Sequence, residues 1–397
     1  MANIIDYIKW RGDLSFQSDP FNDIDGLVFS LLVYVDFGEL LPDYQNNCYR
    51  LEELARAFFK VNDFDELMKE FSFTKEAIVL LKTIAQTTRY KDVLLLDYVN
   101  ELDYQLIKQF AAMTFKLPDG TLFVSYRGTD DTILGWKEDL MMSYLPLIPS
   151  QVRAKEYLEM IAKKYYKNSL SSLFKNKSKT TSFMVIKEYL SQCFHGSKIR
   201  IGGHSKGGNL AVYATCNCND KILKRIVAVY NNDGPGFDLQ QTELKNYQQI
   251  CNKVKKFVPE GCIFGIMLEY LEEMVIVKSD SKGLLQHNAF SWQIEGNHFI
   301  LSKNLNDDSQ VMDLTFKSWL LKVDKETRKQ AVESIFEIFE ATEIKRINDL
   351  SEKTFMHLLK AIKELKNMDG DSRNAVIHFF KTLFIENNNS RKEYKKK

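Results

Sequence analysis

Ile201-Gly202-Gly203-His204-Ser205-Lys206-Gly207-Gly208-Asn209 stands between a short apolar segment, Lys198 to Ile201, and an alanine-bearing run, Leu210 to Cys218. The order reads strand, tight turn, helix. A serine at the apex of such a turn is held in an unfavourable backbone conformation, and strand and helix approach so closely that its neighbours must be small. Glycine at 203 and 207 supplies the room, and Gly202 and Gly208 extend it. Glycine-rich strand-to-helix turns also bind phosphate. Here no Gly-Lys-Ser/Thr follows at the required distance and no Gly-x-Gly precedes the turn, so neither nucleotide-binding pattern fits.

Upstream of this turn, Phe110 to Lys116 and Thr121 to Arg127 are β-rich runs joined by Leu117-Pro118-Asp119-Gly120, which predicts a hairpin. The second run ends in Arg127-Gly128-Thr129-Asp130-Asp131, followed by Gly135-Trp136-Lys137-Glu138-Asp139-Leu140. Downstream, Arg225 to Tyr230 reads as a buried strand ending in Asn231-Asn232-Asp233-Gly234-Pro235-Gly236-Phe237. Lys253 to Val258 is another strand, closed by Pro259-Glu260-Gly261, and Met274 to Val277 a further one, leading into the loop that delivers His287. Strands alternating with helices around the serine turn predict an α/β protein: a mostly parallel sheet with helices on both faces and its functional groups at the carboxyl ends of the strands.

Three regions follow. Residues 1–110 read mainly as helix, from Leu27 to Phe37, Leu51 to Phe59 and Ala77 to Ala85, and form a helical N-terminal region packed on the core. Residues 111–318 are the core, within which 141–182 is a candidate lid: a helix around Ala154 to Tyr166, then a Ser/Lys/Asn stretch from Lys167 to Ser182, with a helix over 183–193 leading to the serine strand. Met141, Met142, Tyr144 and Leu145 suit either an apolar lid face or ordinary core. Residues 319–397 form a C-terminal helical appendage with a basic tail, its apolar faces on Ala331 to Ala341, Thr354 to Leu365 and Ala375 to Ile385; packing is the usual role of such faces, a protein partner the other.

The chain has 397 residues, 45% of them hydrophobic, enough for a large core. Its 54 Lys and Arg balance 53 Asp and Glu, so charge gives no support for a nucleic-acid partner. No window reaches about 18 consecutive apolar residues, which excludes a transmembrane helix, and residues 1–14 lack the apolar centre of an export signal. Six scattered cysteines, without metal-type spacing, read as free thiols suited to the cytoplasm. No metal or cofactor is expected.

A serine hydroxyl needs a base, usually a histidine oriented by an acid. Of six histidines, His204 adjoins Ser205 with its ring expected to point away from the hydroxyl, His195 precedes the strand, and His357 and His378 lie in the appendage. His287, after the last strand, is the expected base, with His298 in reserve. The acid is Asp233, in a constrained turn at a strand end, or Glu260, beyond the next strand; Asp233 could instead only organise its own turn. Two N–H donors would stabilise a developing oxyanion: the backbone of Lys206 at the helix start, and that of Thr129, whose hydroxyl could assist. Arg127, Trp136 and Asp139 are expected to buttress that loop.

Phe123-Val124-Ser125-Tyr126-Arg127-Gly128-Thr129, Trp136-x-x-Asp139-Leu140 and Gly203-His204-Ser205-Lys206-Gly207-Gly208 resemble the oxyanion loop and elbow of class 3 (fungal-type) lipases. Gly-His-Ser-Lys-Gly-Gly-Asn-Leu-Ala, Asp233-Gly234-Pro235-Gly236-Phe237 and Gln286-His287-x-x-Phe290-x-Trp292 are more closely similar to the Mbeg1-like family of α/β-hydrolase proteins, a domain of unknown function. The resemblance implies an α/β-hydrolase fold with Ser205 as nucleophile, His287 as base, and Thr129 and Lys206 as oxyanion donors. It departs at the acid: class 3 lipases carry an Asp two residues before a Val-Pro, where this chain has Lys256, which favours Asp233. The expected function is a serine hydrolase, esterase- or lipase-like, cleaving a small-molecule or lipid ester through an acyl-enzyme on Ser205. An acyltransferase, or a catalytically idle fold used for binding, are the alternatives.

Overall fold

Leu122–Tyr126, the second arm of the expected hairpin, pairs antiparallel with Lys108–Lys116 on one side and parallel with Ile199–His204 on the other. It is the hinge of an eight-stranded sheet whose strands lie in chain order: β1 (Tyr49–Arg50), β2 (Leu94–Asp103), β3 (Lys108–Lys116), β4 (Leu122–Tyr126), β5 (Ile199–His204), β6 (Ile226–Asn232), β7 (Val254–Pro259) and β8 (Met274–Val277). Neighbours from β1 to β4 are antiparallel and those from β4 to β8 parallel. This computed structural model describes residues 1–41, 48–69, 72, 74–165, 196–238, 245–341, 346 and 368–396.

Because β4 to β8 step in one direction, right-handed crossovers bring their helices to one face. Ala154, Tyr157, Leu158 and Ile161 of the helix Pro149–Lys164, with Leu210, Ala211 and Val212 of the helix Lys206–Asn217, pack there on Leu122, Val124, Ile199 and Ile201. The other face would be bare without the N-terminal helices. Asp23–Leu32 lies across it, Phe29 meeting Phe115 and Phe123 at ring-centroid distances of 5.1 and 5.3 Å. The strand residues alternate accordingly: Phe123 faces the N-terminal layer, and Leu122 and Val124 the crossover helices.

Residues 1–110, read as mainly helical, also contain the strand β2. Three leucines followed by Asp97 and Glu101 lack the apolar alternation of a half-buried strand. Both acids are nevertheless paired, Asp97 with Lys164 at 2.8 Å and Glu101 with Arg153 at 2.7 Å and Lys108 at 3.0 Å. Long-range ion pairs and the β3 ladder therefore make a strand of a segment whose local pattern does not specify one.

The helix Asp307–Lys322, capped by the Asn306 side chain, runs through the expected boundary at 318/319. It packs on Gly370–Tyr394, as does the helix Lys325–Ala341, and Trp319 meets Phe379 at 4.7 Å. Met141, Tyr144 and Ile148 lie buried in this same cluster, with Met142 and Leu145 against it, so these apolar residues of the candidate lid serve as core beneath the C-terminal helices. Lys167 to Ser182, the helix over 183–193, Thr354 to Leu365, His195 and His357 lie outside the described residues. Among the described residues, no helix is long and apolar enough to cross a membrane.

Candidate active site

β5 ends at His204, and Ser205 turns the chain into the helix Lys206–Asn217 with φ 58° and ψ −132°. This left-handed region is costly for a residue with a side chain, and it aims the serine off the sheet's carboxyl edge. The turn is held by Ser205 N–H donating to Asn232 O at 2.9 Å. Its glycines are needed for close approach: a Cβ on Gly203 would lie 2.2 Å from the Gly207 backbone, and one on Gly207 2.1 Å from Tyr126 O.

Asp233 lies immediately after β6, fully buried, with φ 55°. Its Oδ2 accepts from His287 Nδ1 at 2.6 Å, while its Oδ1 accepts from Gly265 N at 3.1 Å and Cys262 Sγ at 2.9 Å. The Asn232–Gly236 turn is instead held by Asn231, two residues before Asp233, whose Oδ1 accepts from Gly234 N at 3.0 Å. Glu260 spends its backbone on Val277 O and on Asn306 N. Of the two candidate acids, Asp233 is the one hydrogen-bonded to His287.

His287 closes the 3₁₀ turn Gly283–His287. Trp292 Nε1 donates to Gln286 O at 2.9 Å, and His204 Nε2 to His287 O at 2.8 Å, so the backbone is pinned on both sides. The Phe264 ring lies 4.2 Å and the His204 ring 4.7 Å from the His287 ring. With Nδ1 on Asp233, Nε2 is the remaining polar atom of the partly exposed ring. No hydrogen bond joins Ser205 Oγ to His287 among the described residues. In hydrolases with such an elbow, the serine–histidine hydrogen bond often tightens only with substrate bound.

His204 is a support rather than a base. Burial, reinforced by the neighbouring His287, pushes its imidazole from 6.5 down to about 3, which keeps it neutral. With Nε2–H donating to His287 O, its Nδ1 accepts from the Tyr34 hydroxyl at 3.2 Å. His298 sits exposed in the two-stranded ribbon Ile294–Glu295 with His298–Phe299, and His378 lies on the C-terminal helix.

The loop after β4 abuts the serine: a Cβ on Gly128 would lie 3.1 Å from Ser205 Cβ. Thr129 follows Gly128 in this loop, and its hydroxyl donates to Asp139 Oδ2. The hydroxyl's proton is thus engaged with Asp139, and the backbone N–H is Thr129's other donor. Lys206 opens the elbow helix, so no carbonyl of a preceding turn faces its N–H. Arg127 pairs with Asp130 at 3.0 Å and Asn100 at 3.0 Å, buttressing the loop, while Trp136 is half-exposed. Sequence reasoning missed Tyr34, Cys262, Phe264 and Gly265. They come from segments without a motif of their own, and only the fold brings them to the site.

A sheet parallel from β4 to β8, with a strained Gly-x-Ser-x-Gly elbow at the carboxyl end of β5, defines an α/β-hydrolase fold. The Mbeg1-like family model matches residues 84–337, and the chain belongs to the Mbeg1-like family. Among solved structures it is similar to the crystal structure of M37 lipase, at 15% identity and a TM-score of 0.33, over 62% of this chain and 70% of that one. No curated protein matches the chain.

Proposed function

We propose that the protein is a serine hydrolase that cleaves carboxylic esters through an acyl-enzyme on Ser205, with His287 as base and Asp233 as the acid behind it. The observation that carries this reading is the 2.6 Å bond from His287 Nδ1 to Asp233 Oδ2, at the sheet edge where Ser205 is held at φ 58°. A carboxylate on Nδ1 selects the tautomer whose Nε2 is free to accept a proton, and stabilises the imidazolium that results.

In the proposed reaction, the Ser205 hydroxyl moves into reach of Nε2. As Oγ bonds the ester carbonyl carbon, its proton passes to His287, and the oxyanion accepts hydrogen bonds from the Lys206 and Thr129 backbone N–H groups. Collapse expels the alcohol, which takes the proton from His287. Water then repeats the sequence on the acyl-enzyme and releases the acid. The substrate is a small-molecule or lipid ester, and the free thiols at Cys48, Cys216, Cys218, Cys251 and Cys262 suit a cytoplasmic setting. Steady-state hydrolysis of a p-nitrophenyl ester series tests the proposal. Turnover by the wild type that is lost in His287→Ala supports it; a folded wild type without turnover on any member favours a binding role for the fold.

A further inference from the structure

Lys206 carries a second feature that the elbow does not need. Its side chain is fully buried, at the first turn of a helix, where the macrodipole is positive. Burial alone would lower the ammonium's pKa, but Glu138 and Asp139 outweigh that and raise it, so the group stays charged. Both carboxylates come from the helix Ile133–Met141, which follows the Thr129 loop. Nζ donates to Glu138 Oε2 at 2.9 Å and Gln109 Oε1 at 2.9 Å, and lies 3.5 Å from Asp139 Oδ1. The other oxygen of Asp139 accepts the Thr129 hydroxyl. Glu138 in turn accepts from Gln109 N at 3.1 Å, Ser150 N at 2.8 Å and Ser150 Oγ at 2.8 Å.

The residue on one side of the proposed oxyanion position is thus connected, through its own side chain and Asp139, to the residue on the other side. We infer that the Lys206 side chain is a positioning residue, which by its ion pairs with Glu138 and Asp139 holds the Thr129 loop at the distance where the Lys206 and Thr129 backbone N–H groups meet one oxyanion; this rests on the hydrolase reading above. Without the ammonium, the buried Glu138 carboxylate and the partly buried Asp139 carboxylate beside it repel each other, and Asp139 no longer has a fixed place from which to hold Thr129. Donors aimed at a transition-state oxygen lose their effect when displaced by a fraction of an ångström, and the loss falls on kcat rather than KM.

The test compares wild type, Lys206→Met, the charge-neutralised pair Lys206→Met/Glu138→Gln, and Thr129→Val, which cuts the relay at its far end while leaving every charge and both backbone donors. Each is measured for thermal midpoint and for kcat and KM on the same p-nitrophenyl ester. Lys206→Met should lower kcat about 100-fold with KM within about twofold. The double variant should regain thermal stability without regaining kcat, and Thr129→Val should lose kcat about tenfold at an unchanged midpoint. Thr129→Val at wild-type kcat, or a folded double variant at wild-type kcat, overturns the inference alone. A wild type whose hydrolysis survives Ser205→Ala overturns the hydrolase reading and the inference with it.

Discussion

Two of the protein's buried cations, Arg89 and Lys206, are held in contrasting ways. Arg89, in the N-terminal layer, is enclosed by Asp25, which accepts from Nε at 2.7 Å and Nη2 at 2.5 Å, and by the carbonyls of Asp19 at 2.9 Å, Pro20 at 3.3 Å and Leu14 at 3.4 Å. Tyr90 completes the cluster by donating to Asp25 at 2.6 Å. A planar fork with a geometrically fixed partner for each donor ties loops and helices together, and none of these partners belongs to the serine turn or to the loop facing it. Lys206 is a point charge held by groups from β3 and from the Thr129 loop's own helix, one residue from Ser205. Charge burial at Arg89 serves the assembly of the layer; at Lys206, in the proposed mechanism, it fixes the distance between the two elements that carry the oxyanion donors. The first should show in stability and the second in kcat.

The contrast can be broken at several points. Ser205→Ala should reduce ester hydrolysis by about 10⁴-fold or more with an unchanged circular dichroism spectrum, because the nucleophile is lost and the fold is not. Asp233→Asn should lower kcat by about 10³- to 10⁴-fold, whereas Glu260→Gln stays within about threefold; equal losses would undo the choice of acid. Arg89→Met, which strands the buried Asp25 carboxylate, should destabilise by about 3–5 kcal/mol in urea unfolding, with kcat per probe-titrated site unchanged. A large kcat loss in that variant would erase the distinction between the two clusters.

The smallest expected effect is one of pH. His204 is held from 6.5 down to about 3 in the folded protein, so between these values the unfolded chain binds the extra proton. Stability should therefore fall as pH drops through that window, by a few kcal/mol in all. Thermal midpoints at pH 7 and pH 4 check this, and His204→Gln should show a shallower decline than the wild type.

The elbow was legible because its glycines are a steric requirement: strand and helix backbones come so close at 203 and 207 that no side chain fits. The parallel strands were legible for a similar reason, being short apolar runs that end in turn residues at the sheet's functional edge. β2 was not, because Asp97 and Glu101 look solvent-facing until Lys164 and Arg153 supply their counter-charges from a distant helix. The support behind Asp233 was equally hidden. Cys262 and Gly265 contribute one S–H and one N–H from beyond β7, with nothing in their spacing to announce it. Met141 and Tyr144 could be read as lid or as core, and the C-terminal helices that bury them decide for core.

The central claim is that Ser205 is a nucleophile activated by the His287–Asp233 pair. Its most direct test is mass-spectrometric mapping of a fluorophosphonate adduct on the wild type, Ser205→Ala and His287→Ala. The expected result is one adduct, on the peptide containing Ser205, absent from Ser205→Ala and strongly slowed in His287→Ala. A folded wild type that takes up no probe, or an adduct that persists in Ser205→Ala, would contradict it.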